Sequence, residues 1–294
     1  MPEIGRTRRR PRLILGLGDQ ARIYDRVAKD YHARVISPFE EGVRFRLPID
    51  VRRILRQWRR DGTFRRRVVI DFGCGIGEAL DLVAGKVGFV AGIDFSAGML
   101  RQSRKRLERQ GFQIHRIDGG PGLRTLRRLI EKRQLSTRQQ PTIALASGNL
   151  LKLGALSASC DLALAINAIG PPTVAAAYEM FASIAACARR GGALISVLPS
   201  LDTMYHLYAL ERRHRVSPSR VGTIDEATSI YTDGRERAKF FLPEEITQLC
   251  KDNHLAVERL EKIRYPWSLM RLSGWGYYPR SPRIWDWYVV ARKK

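Results

Sequence analysis

Long apolar runs are missing from this 294-residue sequence. The largest uncharged stretch, Leu162 to Tyr178, is interrupted by Asn167, Gly170 and the Pro171-Pro172 pair. A membrane helix needs roughly 20 mainly apolar residues, so no membrane span is expected, and the stretch reads as a buried strand, a loop and a helix. A secretory leader is not expected either: the apolar run in RTRRRPRLILGLGDQ stops at Gly18, and polar Asp19-Gln20 follow. Cysteine is scarce. Cys74, Cys160, Cys187 and Cys250 are scattered without a C-x-x-C, which argues against a zinc ribbon or a disulfide framework and suits a reducing, cytoplasmic setting. Internal repeats and low-complexity segments are absent beyond a basic start.

Acidic residues are few. Asp and Glu number 29 against 52 Lys and Arg, a net charge of +23. The excess is uneven: residues 1–67 carry 19 basic against 8 acidic, residues 95–140 carry 12 against 3, and residues 68–94 carry 1 against 4. A field of this size favours nucleic acid, an anionic membrane surface or acidic partners; an Arg-rich solvated surface is the plainer alternative.

What remains describes a folded enzyme-sized chain. With 44% apolar and 28% charged residues it can bury a real core, and its length fits one domain with insertions. Residues 1–60 read as a basic arm (1–20) and cap helices, the second helix around VRRILRQWRR. Residues 61–294 read as a single domain with insertions at about 111–141 and 201–238. RVVIDF, VGFVAGIDF, PTIALA, CDLALAIN and GGALISVL are near-continuous apolar strands. EALDLVAGK, SAGMLRQSRKRLERQG (N-cap Ser96) and TVAAAYEMFASIAACARR are the helices between them. A helix LDTMYHLYALERRHR, a helix FLPEEITQLCKDNH and strands AVERLEKIRYP and WDWYVVARK complete the chain. The alternation predicts a doubly wound α/β, Rossmann-like parallel sheet covered on both faces.

The motif that carries chemistry is Asp71-Phe72-Gly73-Cys74-Gly75-Ile76-Gly77, directly after Val68-Val69-Ile70. Alternate glycines let the backbone turn tightly and approach a ligand. Nicotinamide and flavin proteins use a related turn, but a dinucleotide fingerprint requires a small residue at position 78, where Glu78 stands. Asp71 at the strand mouth would repel a pyrophosphate and suit a cationic ligand; such a pair is worth on the order of several kcal/mol before desolvation. Asp94 ends the second strand 19 positions after Gly75, near the spacing of about 20 at which an acid accepts from a ribose diol.

On these residues the chain resembles the class I S-adenosylmethionine-dependent methyltransferases. VVIDFGCGIGEAL is similar to that family's first motif and GIDFSAGML to its second. SGNLLKLGALSASCDLALAINAI is similar to the region closing over the adenine, and ARRGGALISVLPS to the fifth strand. The resemblance implies a seven-stranded sheet with one antiparallel strand and S-adenosyl-L-methionine as cofactor. It implies that Asp71, Gly73, Gly75 and Gly77 contact the methionine part, Asp94 the ribose, and Phe95 and Met99 the adenine. Asn149 stands where the family usually has an acid, and its amide oxygen can also accept. Asn167 would also border the cofactor, at the end of the fourth strand where the transferred methyl faces the acceptor. The segment Tyr24 to Tyr31 is similar to one that folds over the cofactor.

Methyl transfer from a sulfonium is an in-line displacement that needs alignment more than proton transfer, so neither a triad nor a metal is expected. Asn167, Tyr205 and His206 are the acceptor-side candidates, although the spacing of Leu201, Met204, Tyr205 and Tyr208 also fits packing. Trp267, Trp275, Trp285 and Trp287, with Tyr277, Tyr278, Arg271, Arg280 and Arg283, could stack bases or fill the core; core is preferred. A small-molecule acceptor is expected. The alternatives are RNA on a wall of helix arginines (Arg52, Arg53, Arg56, Arg59, Arg60 with Arg101, Arg104, Lys105, Arg106, Arg109), a non-catalytic scaffold, and a nicotinamide oxidoreductase.

Overall fold

A computed structural model describes residues 17–31, 39, 42–117, 122–134, 140–214, 222–232, 237–270 and 277–294. Most of the expected basic arm, and with it Arg271 and Trp275, lies outside those residues. Residues 17–20 open helix α1 (Leu17–Val27).

Five apolar segments become the centre of the sheet because every one buries both faces. They are β1 (Val68–Phe72), β2 (Phe89–Asp94), β4 (Thr142–Ser147), β5 (Cys160–Ile166) and β6 (Ala188–Pro199). With β3 (Ile114–Ile117), β10 (Leu255–Arg264) and β11 (Trp285–Lys293) they form an eight-stranded sheet in the order β10-β11-β6-β5-β1-β2-β4-β3. Only β11 runs against its neighbours. The expected count was seven. The additional strand, β3, comes from the 111–141 insertion and has one buried residue in four, so no apolar run announces it.

Helices α2 (Gly42–Arg60), α3 (Ala97–Arg109) and α6 (Leu201–Arg213) cover one face. Helices α4 (Gly122–Gln134), α5 (Val174–Cys187) and α7 (Pro243–Asp252) cover the other. Leu47, Val51, Ile54, Leu55 and Trp58 of α2 share one core with Val69 and Val90, so this helix packs on the sheet. Each such fully buried side chain stabilises by about 1.5–3 kcal/mol. Among the described residues no helix is long and apolar enough to cross a membrane.

One expected helix is missing. EALDLVAGK forms only a short 3-10 turn, Leu80–Leu82. Its apolar residues Ala79, Leu80, Val83 and Ala84 are buried and Leu82 is half-buried, and Gly85 at φ +69° stops the turn. The 201–238 insertion holds α6 and a small antiparallel sheet of β7 (Thr223–Asp225), β8 (Ile230–Thr232) and β9 (Arg237–Lys239). The C-terminal aromatics mainly fill the core: Trp267, Trp287 and Tyr278 are buried and Trp285 half-buried, while Tyr277 is exposed.

Candidate active site

The chain enters the sheet at β1, adds β2, β4 and β3 on one side, then returns to place β5 on the other. The strand ends part at that reversal, where open α/β sheets hold their ligands. Here the glycine turn leaves β1. Gly73 and Cys74 donate to the Ile93 carbonyl at 2.7 and 3.0 Å. Gly73 has φ +72°, and a Cβ there would lie 2.5 Å from the Ala168 Cβ, so only glycine lets the turn pass under the loop after β5.

Asp94 locks this turn. One carboxylate oxygen accepts from the Gly75 N–H at 2.9 Å and the other from the Ser96 N–H at 2.8 Å. Burial pushes its carboxyl up to about 6, against the pull of those backbone donors. Ser96 caps α3, accepting from the Met99 N–H at 3.1 Å, and donates onward to Asp25 at 2.7 Å. Asp25 also accepts from the Gly98 N–H at 2.7 Å. These hydrogen bonds, with Arg101 nearby, hold the Asp25 carboxyl below its usual range, as suits an anion at a helix N-terminus. Helix α1 is thereby latched across the opening. At its other end the Gln20 amide donates to the Gly170 carbonyl at 3.1 Å.

Beneath α1 lies a cavity of about 430 Å³. Gly73, Gly75, Asp94, Phe95, Met99 and Asn149 line one end; Asn167, Met180, Pro199, Ala238 and Phe240 line the other, with Tyr24 and Tyr31 in the roof. Tyr24 meets Phe95 edge to face, ring centroids 6.0 Å apart. Among the described residues no Lys or Arg lines it, in a chain carrying +23.

The structure thus brings together Gly73, Gly75, Asp94, Phe95, Met99, Asn149 and Asn167, and revises four expectations. Asp71 and Gly77 do not line the cavity. Asp71 is 2% exposed behind the turn; burial first, then the Asp94 and Glu78 charges, push its carboxyl up to about 8. Asp94, not Asp71, offers charge to the cavity. Gly77 instead lets Ser103 of α3 approach, since a Cβ would meet its hydroxyl at 2.5 Å. The Asn149 side-chain oxygen accepts from the Leu151 N–H at 2.9 Å, so its NH2 is the uncommitted group. Tyr205 and His206 lie outside the lining: Leu201, Met204, Leu207 and Leu210 turn to the core, which leaves Tyr205 exposed and His206 against the Pro282 carbonyl at 3.1 Å.

Sequence reading missed the far wall. Lys239, itself buried, pairs with Glu245 at 2.7 Å, and its N–H donates to the Pro171 carbonyl at 3.0 Å. This seats Ala238 and Phe240 in the cavity. Tyr265 and Asp286 lie just behind Asn167. No local motif marks them, since they reach the site only through β10 and β11.

The profile of a methyltransferase-domain family matches residues 69–120. No curated protein matches the chain at a significant level. Among solved structures, the magnesium protoporphyrin IX methyltransferase from Synechocystis PCC 6803 with bound SAH is similar at 16% identity and a TM-score of 0.51, covering 93% of this chain and 94% of that one. A SAM-dependent methyltransferase from Methanosarcina mazei shows 16% identity and a TM-score of 0.49, with 77% and 92% covered. The first likeness shows a common fold over nearly the whole chain.

Proposed function

We propose that this chain, a class I S-adenosylmethionine-dependent methyltransferase, passes the donor's methyl group to a small-molecule acceptor by in-line displacement. The observation that carries this reading is the polarity of the cavity: a carboxylate and, among the described residues, no cation, in a strongly basic protein. Such a lining suits a positively charged, phosphate-free nucleoside and repels a dinucleotide.

The residues present fit that donor. Asp94 retains acceptor capacity for ribose hydroxyls beyond its two backbone bonds. The Asn149 NH2 can donate to a ring nitrogen, and Phe95, Met99 and Tyr24 offer apolar surface to a base. Gly73 and Gly75 let the backbone close on the methionine part. When bound, the donor supplies an electrophilic methyl on sulfur. The protein then has to hold the acceptor in line, which is worth up to roughly 7–11 kcal/mol, and to exclude water, which the latched α1 does. Asn167, Met180 and Phe240 meet the acceptor. The cavity's closure by α1 and by β9 favours a small molecule. The four cysteines, all buried and unpaired, accord with a cytoplasmic protein.

RNA is the second reading, and one observation favours it. The Lys86 ammonium is crowded by arginines of α2; burial and then Arg59 push its pKa down, with Arg52 adding to the effect. Nearby, Asp81 pairs with Arg106 of α3 at 2.6 Å, so basic residues of α2 and α3 approach the same segment, which supports a shared basic surface. Lys86 and Arg106, however, lie at the strand-start edge of the sheet, opposite the cavity. That position suits an anchor better than a substrate channel.

Incubation with methyl-labelled S-adenosylmethionine and a fractionated cell extract tests the choice. Label in the small-molecule fraction is the expected result; label in RNA would replace this reading with the second one. Binding of bulk tRNA that falls steeply with salt would support the anchor.

A further inference from the structure

A second cavity, of about 210 Å³, opens at the other end of the strands. Its wall is built where strands begin: Arg67 precedes β1, Asp161 is second in β5 and Arg190 third in β6. Arg292 joins them from the end of antiparallel β11, where it lies across from Ala193. Gln57 and Trp58 of α2 close the remaining side. The notch therefore gathers five separate elements at one point.

Asp161 spends its carboxylate on holding this wall together. One oxygen accepts from Arg67 Nη1 at 2.9 Å; the other accepts from the Val68 N–H at 2.8 Å and from Arg189 Nη1 at 3.4 Å. Arg67 also donates from Nε to the Thr63 hydroxyl at 3.1 Å and lies over Trp58, its guanidinium carbon 5.3 Å from the ring centroid. Its Nη2 stays uncommitted. Arg292 pairs with Glu258 at 2.6 Å and donates from Nη1 to the Gly191 carbonyl at 3.1 Å. Arg190 is exposed, and among the described residues neither it nor the Gln57 side chain has a hydrogen-bond or ion-pair partner.

The charges do not balance. The ionised lining residues and their ion-pair partners are four guanidiniums (Arg67, Arg189, Arg190, Arg292) and two carboxylates (Asp161, Glu258). Two positive charges thus stand close together in a recess without a counter-ion, and a bound anion relieves their repulsion. Guanidiniums match planar or tetrahedral oxyanions through paired N–H donors. A carboxylate supplies one negative charge, whereas a phosphate monoester carries about −1.5 to −2 at neutral pH with three strong acceptor oxygens. The recess is smaller than the roughly 300–1,000 Å³ of pockets that enclose whole ligands, so it takes one group of a larger molecule.

We propose that this notch is a binding site for a phosphate monoester, separate from the methyl-transfer cavity, in which Arg67, Arg190 and Arg292 hold the phosphate oxygens. A phosphorylated small molecule and the 5′-phosphate end of an RNA offer the same group. Arg59, Arg60 and Arg66, exposed beside Trp58 and Arg67 in the sequence, extend the positive surface along which a longer chain would run.

The test is calorimetric titration of the whole chain with glycerol 3-phosphate at low ionic strength, where one saturable site is expected. Arg190→Gln removes a side chain that has no partner, so the melting temperature should not fall, yet affinity should drop at least about tenfold with the lost charge-assisted hydrogen bond. Arg66→Gln, an equal change of charge outside the notch, should stay within about twofold of the unsubstituted chain. Dimethyl phosphate, a monoanion of similar shape, should bind at least about tenfold more weakly. Absence of saturable binding, equal losses in the two variants, or equal affinity for dimethyl phosphate would overturn the proposal. Displacement by a 5′-phosphorylated oligouridylate and not by its 5′-hydroxyl form assigns an RNA end as the source; displacement by neither assigns a small phosphorylated molecule. Equal displacement by both would put a backbone diester in place of the monoester and overturn it as well. Affinity for S-adenosylmethionine should be the same in both variants, because notch and cavity lie at opposite ends of the strands.

Discussion

The two ends of the cavity are built in opposite ways. The end proposed for the donor comes almost entirely from residues 73–99, the turn that leaves β1, strand β2 and the start of α3, and its bonds are mostly backbone to carboxylate. The end proposed for the acceptor is gathered from Asn167, Met180, Pro199, Ala238 and Phe240, backed by Tyr265 and Asp286, and the bonds behind it join side chains and backbone from elements far apart in the chain. The first is a local device that many sequences can encode with one short pattern. The second depends on β10, β11 and the β7–β9 sheet arriving correctly, which leaves it free to differ in substrate.

The two ends touch where Gly73 meets Ala168, and substitution there should have the largest effect. Gly73→Ala combines a left-handed backbone with a 2.5 Å clash. It should cost about 2–4 kcal/mol in denaturant unfolding and abolish the thermal shift given by S-adenosylmethionine. Wild-type stability in this variant would show that the ends are not coupled.

Asp94→Ala should come next and act on the donor end alone. It removes a carboxylate that serves Gly75 and Ser96 and, on the proposed reading, the donor's ribose, and should weaken donor binding by about 2–4 kcal/mol, on the order of 100-fold in Kd by calorimetry. Hydrogen exchange in β10 and β11 should stay as in the wild type; if it quickens, the division between the ends is not as sharp as drawn.

Gly98→Ala probes the roof that spans both. The new Cβ would lie 2.9 Å from an Asp25 oxygen and 3.0 Å from its Cα, pushing α1 outward. A cost of about 1–2 kcal/mol is expected, with faster hydrogen exchange in α1; unchanged exchange would remove the latch.

The pH response is smaller and has a definite sign. Asp71 is raised to about 8, and Asp94 and Asp286 to about 6, from 3.8. Between 3.8 and those values the folded chain binds more protons than the unfolded one, so these groups cost stability as pH rises through that window. Asp71→Asn should therefore make the ligand-free chain relatively more stable than wild type at pH 8, with the gap closing toward pH 5, as melting curves would report. A gap that widens toward low pH would contradict the burial of Asp71.

Smallest of all, Tyr205→Phe and His206→Ala should change stability by no more than about 0.5 kcal/mol and leave donor affinity alone. A large loss of donor affinity would return α6 to the site.

Much of this was legible before any coordinates. Val68–Ile70, the glycine turn, Asp94 and the Ser96 cap are contiguous and periodic, so strand, turn and helix could be read in order. β3 was not legible, because three of its four residues escape burial. The helix expected over residues 78–86 failed because apolar residues on all its sides signal burial without signalling helix.

The chain's own order of residues determined the sheet's core, the position of the glycine turn and the place of Asp94 beside it, since those features arise from neighbours in sequence under short-range steric and hydrogen-bonding rules. Tertiary structure alone decided that Asp71 sits behind the turn, that Tyr205 and His206 face away, and that Tyr265 and Asp286 stand behind Asn167. Those placements depend on distant pairings such as β6 with β11, whose partners lie 87 to 99 residues apart in the chain. No local pattern encodes that choice, because it is made by the burial of whole faces.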